Sequence, residues 1–355
     1  MKAIHYQLLR PLAAALLGGI LAVGCSNNAS TTDPSSTTTQ GASTATTSTQ
    51  ETLSGKPFLV GYNQWIGSVG VFLAKEKGYF KDAGLDVQMK QFAGPADSVP
   101  PLIAGQLDAA LTTADTPILL SKEANSNPVK NVFITDTSAG ADAVVAQAGI
   151  NSLKDLKGKT VAATKGQCNE LLLLKGLRSA GLSEADVTVT NMDADAAGAA
   201  VVARKIPAAV TWEPWITKAR SNGAKVIYSS KESPNLILDV AAVSQKTMTD
   251  KPADVRAFVA ACVKGNEYAI KNPKEAAKVA AKYFGSTEKE ALDMMTKVKL
   301  YSGADNARLM GTDSAPGPVA QSTKEIADFF VSQKVLTAAP TETNFFNATY
   351  LPAKS

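Results

Sequence analysis

The strongest constraint on this chain is a strand, helix and loop order that keeps returning. PFLVGYNQW is an apolar run of strand length that ends on a polar-aromatic loop. It gives way to IGSVGVFLAKEKGYF, where Val69, Phe72, Leu73 and Tyr79 fall at helical spacing. KDAGLDVQMKQF reads as a helix end, a glycine turn and a second strand. IAGQLDAALTTADTP reads as a short helix, a strand and a loop, and VKNVFITDTS as another strand. A second block repeats the order: LKGKTVAATKGQ is turn, strand and glycine loop, and CNELLLLKGLRSAGL is a helix closed by Gly181. DVTVTNMD, VVARKIPAAVTWEPW and AKVIYSS continue it. Strands that alternate with helices imply parallel βαβ units and an α/β fold.

Two short echoes divide this α/β chain into two similar halves; one is the match of KDAGLDVQM and RSAGLSEADVTV around AGL. LDAALTTADTP and IPAAVTWEPW share an apolar residue, two alanines, a second apolar residue and a threonine. Each then carries an acid and a proline: Asp115 with Pro117, and Glu213 with Pro214. Ligands of open α/β sheets bind outside the carboxyl ends of the strands, so two such lobes facing each other make a cleft. The last hundred residues read as helical and structural. Thr287 and Glu290 make a capping-box pattern before ALDMM, and Ile326, Phe329, Phe330 and Gln333 lie on successive turns.

The amino end has a different character. Lys2 and Arg10 precede the apolar run PLAAALLGGILAV, which has the length of a signal-peptide core and is shorter than the roughly 20 residues of a spanning helix. AVGC then places small residues before Cys25, as in a bacterial lipobox, with Ala22 where leucine is usual. Residues 1–24 are therefore expected to be a signal peptide and Cys25 a lipidated amino terminus. Residues 25–55, rich in Ser and Thr and almost free of apolar side chains, are expected to form a tether. Thirty flexible residues reach roughly 30 Å root-mean-square.

Composition narrows the chemistry. Without Lys2 and Arg10, 34 basic residues face 32 acidic ones, a balance that does not suggest nucleic-acid binding. The single histidine, His5, lies in the signal, so the mature chain lacks the commonest general base and metal ligand. No G-x-S-x-G and no C-x-x-C occurs, and the GKT at residues 158–160 lacks the first glycine of a phosphate loop and precedes its strand. No enzyme activity, metal or cofactor is expected. Cys168 and Cys262 remain; Cys262 falls on the stripe of Val255, Phe258, Val259 and Val263 and reads as a buried thiol, with a disulfide the less favoured reading.

The loops carry the candidate site. All three tryptophans, Trp65, Trp212 and Trp215, stand at expected strand ends, where they either wall a small-molecule pocket or fill a lobe core. Glu213 either fixes a ligand or caps the helix that Pro214 begins. In KGQCNELLLL, Gly166 turns the chain, and Gln167, Cys168, Asn169 and Glu170 open a helix whose free N–H groups suit an anion, which Glu170 would repel. Asn63, Asp142 and Asp239, each at the end of a strand or crossing, complete the candidate set.

FLAKEKGYFKDAGLDV, AGQLDAAL, INSLKDLKGKTVAA, AAVTWEPW, LILDVAAVS and ADFFVSQKVL together resemble the solute-binding components of bacterial ABC importers of the nitrate, alkanesulfonate, taurine and pyrimidine-precursor class. The resemblance runs over nearly all of residues 56–336. It implies a type II periplasmic-binding-protein fold, with each lobe a mostly parallel sheet flanked by helices. Lobe one would comprise residues 56–142 and 239–355, including a helical carboxyl-terminal region, and lobe two residues 143–238. It also implies a monomer at the periplasm or cell surface, held to the membrane by lipid on Cys25 and working with permease and ATPase subunits. Two departures bear on the ligand. Anion-binding members commonly place serine and histidine where Cys168, Asn169 and Glu170 stand, and Lys205-Ile206-Pro207 replaces the usual Gly-x-x-Asp. With Asp115 and Glu170 as the informative carboxylates, the expected ligand is a small nitrogen compound, cationic like guanidinium. A small anion such as taurine or nitrate is the alternative. The enzyme of pyrimidine-precursor synthesis that shares this fold needs histidines that the mature chain lacks.

Overall fold

The structure, a computed structural model, describes residues 52–353 apart from 123, 125, 126, 313 and 341–343. The expected signal peptide, Cys25 and the tether up to residue 51 lie outside the described residues. Among those described, no helix is long and apolar enough to cross a membrane.

Eleven strands form two sheets. The chain first lays down β1 (Phe58–Tyr62), β2 (Val87–Gln91), β3 (Ala109–Thr113) and β4 (Val129–Ser138). It then builds β5 (Asp142–Ala146), β6 (Thr160–Ala163), β7 (Thr188–Asn191), β8 (Ala208–Trp212) and β9 (Lys225–Ser229). It returns through β10 (Leu238–Ser244) and β11 (Val298–Leu300). The first sheet has the order β11-β4-β10-β3-β1-β2 and the second β7-β6-β8-β5-β9. β5 and β11 run through stretches that the hydrophobic pattern did not single out as strands.

The sheets are mixed, which corrects the expectation of mostly parallel ones. β1 pairs in parallel with β2 and β3, and β6 with β7 and β8. β10 runs antiparallel to β3 and β4, β11 to β4, and β5 to β8 and β9. For β5 and β10 the reason is topological: a strand that arrives from the other lobe enters the sheet without a crossover helix, so nothing imposes parallel pairing on it. The two passages between the sheets run side by side. Gly140 N–H donates to the Ser230 hydroxyl at 2.8 Å, and the Ser138 and Ser230 hydroxyls share a hydrogen bond at 2.7 Å.

Each sheet is buried by its own helices. Helix Pro252–Lys271 presses Val255, Phe258, Val259 and Cys262 onto the first sheet, with Phe258 tilted on Phe58 at 5.0 Å between ring centres. Cys262 and Cys168 are both buried and unpaired. Helix Cys168–Ser179 buries Leu172, Leu173 and Leu177 against the second sheet and ends before Gly181, whose φ of +76° costs glycine least. Helix Glu288–Met295 opens on the expected capping box, with Thr287 N–H donating to Glu290 and Glu290 N–H to Thr287.

One helix departs from its expected neighbours. Pro318–Ser332 lies in the region assigned to lobe one from the sequence. Its Ile326, Ala327, Phe329 and Phe330 nevertheless share a core with Leu172, Leu173, Leu177 and Val210 of the second sheet's layer. The carboxyl-terminal helix therefore straps both halves together.

Candidate functional site

A narrow cleft, with room for only about 10 Å³ of water-sized space, lies between the sheets at the carboxyl ends of β1, β3 and β8. It is lined by Asn63, Trp65, Thr113 and Asp239 on one side and by Asp142, Cys168 and Trp212 on the other, with Pro95 and Ile237 completing it. That volume falls below the roughly 300–1,000 Å³ of drug-sized sites. A far larger open groove of about 1030 Å³ runs past the crossings, lined by Arg220, Lys225, Lys231 and Lys297 among others. It touches none of the candidate side chains except Glu213.

Strand register explains the convergence. β10 sets Asp239 opposite Asp136 of β4 and Thr113 of β3, and β5 sets Asp142 opposite Trp212 of β8. Asp115 follows β3 directly and reaches across to the second half, where it accepts the Cys168 N–H at 3.1 Å. Four aspartates, Asp115, Asp136, Asp142 and Asp239, thus face one region, all with exposures of 7% or less.

The four differ in how they are satisfied. Asp136 accepts the Trp65 indole N–H at 3.1 Å and the Thr135 hydroxyl at 2.9 Å. Asp142 Oδ2 and Asp239 Oδ2 accept nothing, and the Asn169 Nδ2 amide donates to nothing. Burial pushes all four carboxyls above the usual aspartate range, that of Asp142 to about 7, and repulsion from neighbouring carboxylates adds to it for Asp136, Asp142 and Asp239. Burial likewise pushes the Cys168 thiol up, with Asp115, Asp142 and Asp239 adding to it. Two unpaired carboxylate oxygens in so dry a place call for a donor that arrives from outside. Of the four, Asp142 and Asp239 line the cleft; no group of three or more acidic, cysteine or histidine side chains among the described residues has metal-ligand geometry.

Other candidates are turned elsewhere. Glu170 folds back to accept the Gly166 N–H at 2.8 Å, and its carboxyl is raised by burial. Gln167 stands at the N-cap of helix Cys168–Ser179. Glu213 caps helix Trp215–Ser221 through Thr217 N–H at 3.1 Å and forms an ion pair with Lys297 at 2.6 Å. Trp215 does not line the cavity. Its indole donates to Asp195 at 2.8 Å, and Lys218 sits 4.3 Å from its ring centre. Trp212 also donates to Asp195, at 2.6 Å, while its ring borders the cavity. Asp136 is the residue that sequence reasoning missed. Its one signal was the polar end, TDTS, of an otherwise apolar strand.

The comparisons follow this geometry. The solved structure of the periplasmic aliphatic sulphonate binding protein SsuA from Escherichia coli superposes with a TM-score of 0.68 at 19% identity, over 84% of this chain and 94% of that one. The nitrate-binding protein NrtA from Synechocystis PCC 6803 gives 0.64 at 12% identity, over 81% and 84%. These likenesses establish the type II periplasmic-binding-protein fold. A curated binding protein of Brucella abortus is 26% identical over 309 residues, 84% of this chain and 92% of its own. The family model described as NMT1/THI5 like matches residues 65–276, more than half of the sequence. The chain belongs to the NMT1/THI5-like family.

Proposed function

We propose that this protein is the solute-binding component of an ABC importer and that its cleft captures a small, nitrogenous cation of the guanidine type. Family membership and the names of the relatives, binding proteins for sulfonate and nitrate among them, support the first half. The observation that carries the second half is the pair of unpartnered oxygens, Asp142 Oδ2 and Asp239 Oδ2, buried on opposite sides of one cavity. A planar cation with N–H donors on several edges satisfies both, and Trp65 and Trp212 offer it aromatic faces. An anion would enter beside the Asp142 and Asp239 carboxyls. The Cys168 N–H at the helix start, where an anion would dock, is already taken by Asp115.

In this reading the two sheets with their helices are lobes that close on the ligand, and the paired passages at Ser138 and Ser230 are the hinge. The protein works outside the cytoplasm as a monomer, tethered by lipid on Cys25, and delivers its ligand to permease and ATPase subunits. Retention of a Cys25→Ala variant in the membrane fraction would rule out that anchor. The ligand class is tested by thermal-shift titration with guanidinium, urea, taurine and nitrate. A ligand present at about 100 times its dissociation constant adds about 2.7 kcal/mol of stability. Guanidinium is expected to stabilise; stabilisation by taurine or nitrate alone rejects the cation.

A further inference from the structure

We infer that the ligand-free cleft carries a proton on its Asp142–Asp239 carboxyl pair, and that a cation enters in exchange for that proton. The inference rests on the reading of the cleft as a cation site and adds how that site is regulated. Its basis is geometric. Asp142 belongs to β5 of one sheet and Asp239 to β10 of the other, and both border the same narrow cleft. Each keeps one buried oxygen without a donor.

Every charged or titratable group acting on the pair is acidic. From β3 comes Asp115, and from β4 Asp136, which also acts on Tyr301 beyond β11. Helix Cys168–Ser179 contributes the Cys168 thiol, and the loop after β8 contributes Glu213, already paired with Lys297. Full ionisation would set buried like charges against each other across the lobes. A carboxyl proton removes that repulsion. When a cation binds, the carboxyl O–H bond breaks, the proton leaves to solvent, and the ligand's N–H donors take the freed oxygens. A neutral isostere such as urea leaves the proton in place, so the exchange also separates the two by pH.

The sign is fixed by linkage. A carboxyl raised in the folded state holds a proton there at pH values where the unfolded chain has lost it. Its stabilisation is complete below about pH 4 and is lost as pH rises through the folded value, about 7 for Asp142. Asp136, raised to about 7, and Asp115, also raised, add to the same slope, so the asparagine variants isolate the pair's share; the only histidine of the sequence is His5. Glu170, also raised, sits in its own loop on Gly166.

The test is thermal unfolding of the exhaustively dialysed protein from pH 5 to 8.5, beside Asp142→Asn and Asp239→Asn. The wild-type melting temperature is expected to fall as pH rises towards 7.5 and then level off. Each extra proton held by the folded state weakens folding tenfold per pH unit over the window. Either asparagine variant flattens the slope. A wild-type melting temperature that is flat or rising overturns the proposal, as does a slope unchanged in a folded variant. Guanidinium is then titrated at pH 5.5 and 7 in two buffers of different ionisation enthalpy. Proton release and about tenfold tighter binding per pH unit are expected; binding without proton release overturns the exchange and leaves the cation site standing. These melts need no ligand, so loss of the cation reading in the thermal-shift panel is a separate result.

Discussion

Gly67 lacks a side chain for a reason that lies seventy residues away. A Cβ there would come within 1.9 Å of Asp136 Oδ1, so the glycine lets the carboxylate sit beneath the Trp65 loop. Nothing local in IGSVG announces this, and Asp136 reads as one more strand residue until its partner is known. Glu170 and Glu213 show the opposite effect. Both stand in loops where an acid looks available to a ligand, yet each answers backbone N–H groups at a nearby turn or helix start. Local sequence showed which residues were polar at the strand ends; only the fold showed which had spare bonding capacity. Glu213 is fully buried in its pair with Lys297. Lys297→Ala leaves that carboxylate with Thr217 alone, so a loss of about 3 kcal/mol is expected in denaturant unfolding. A variant as stable as wild type would show that the pair contributes nothing.

At the scale of elements, the strongly periodic segments were legible and the crossings were not. β1 to β4 and β6 to β9 coincide with apolar runs between turn residues. β5 escaped because ADAVVAQAGI follows a loop with no helix between it and β4, and β11 because three residues carry no period. Both are antiparallel additions whose place is set by their neighbours in the sheet. The strap helix Pro318–Ser332 was legible as a helix, but its address was not, since an apolar face names no partner. Phe330 is fully buried in the core that this helix shares with the second sheet. Phe330→Ala should therefore cost about 3–5 kcal/mol in denaturant unfolding, as large-to-small core changes do. A cost below about 1 kcal/mol would mean that the helix does not hold the two halves together.

At the scale of the molecule, the account makes the carboxylate pair the reason for closure. Asp142 and Asp239 come from different sheets, so a cation that satisfies both draws the halves together, and its binding energy is also closing energy. The most direct measurement is isothermal titration of guanidinium, taurine and nitrate into the wild type and Asp239→Asn at pH 7.5. Removing one partner of a buried charged contact costs roughly 2–5 kcal/mol, and 1.4 kcal/mol is a decade in affinity. Guanidinium should bind the wild type and lose at least about thirtyfold in the variant. Tight binding of taurine or nitrate, unchanged or improved in Asp239→Asn, would contradict the account.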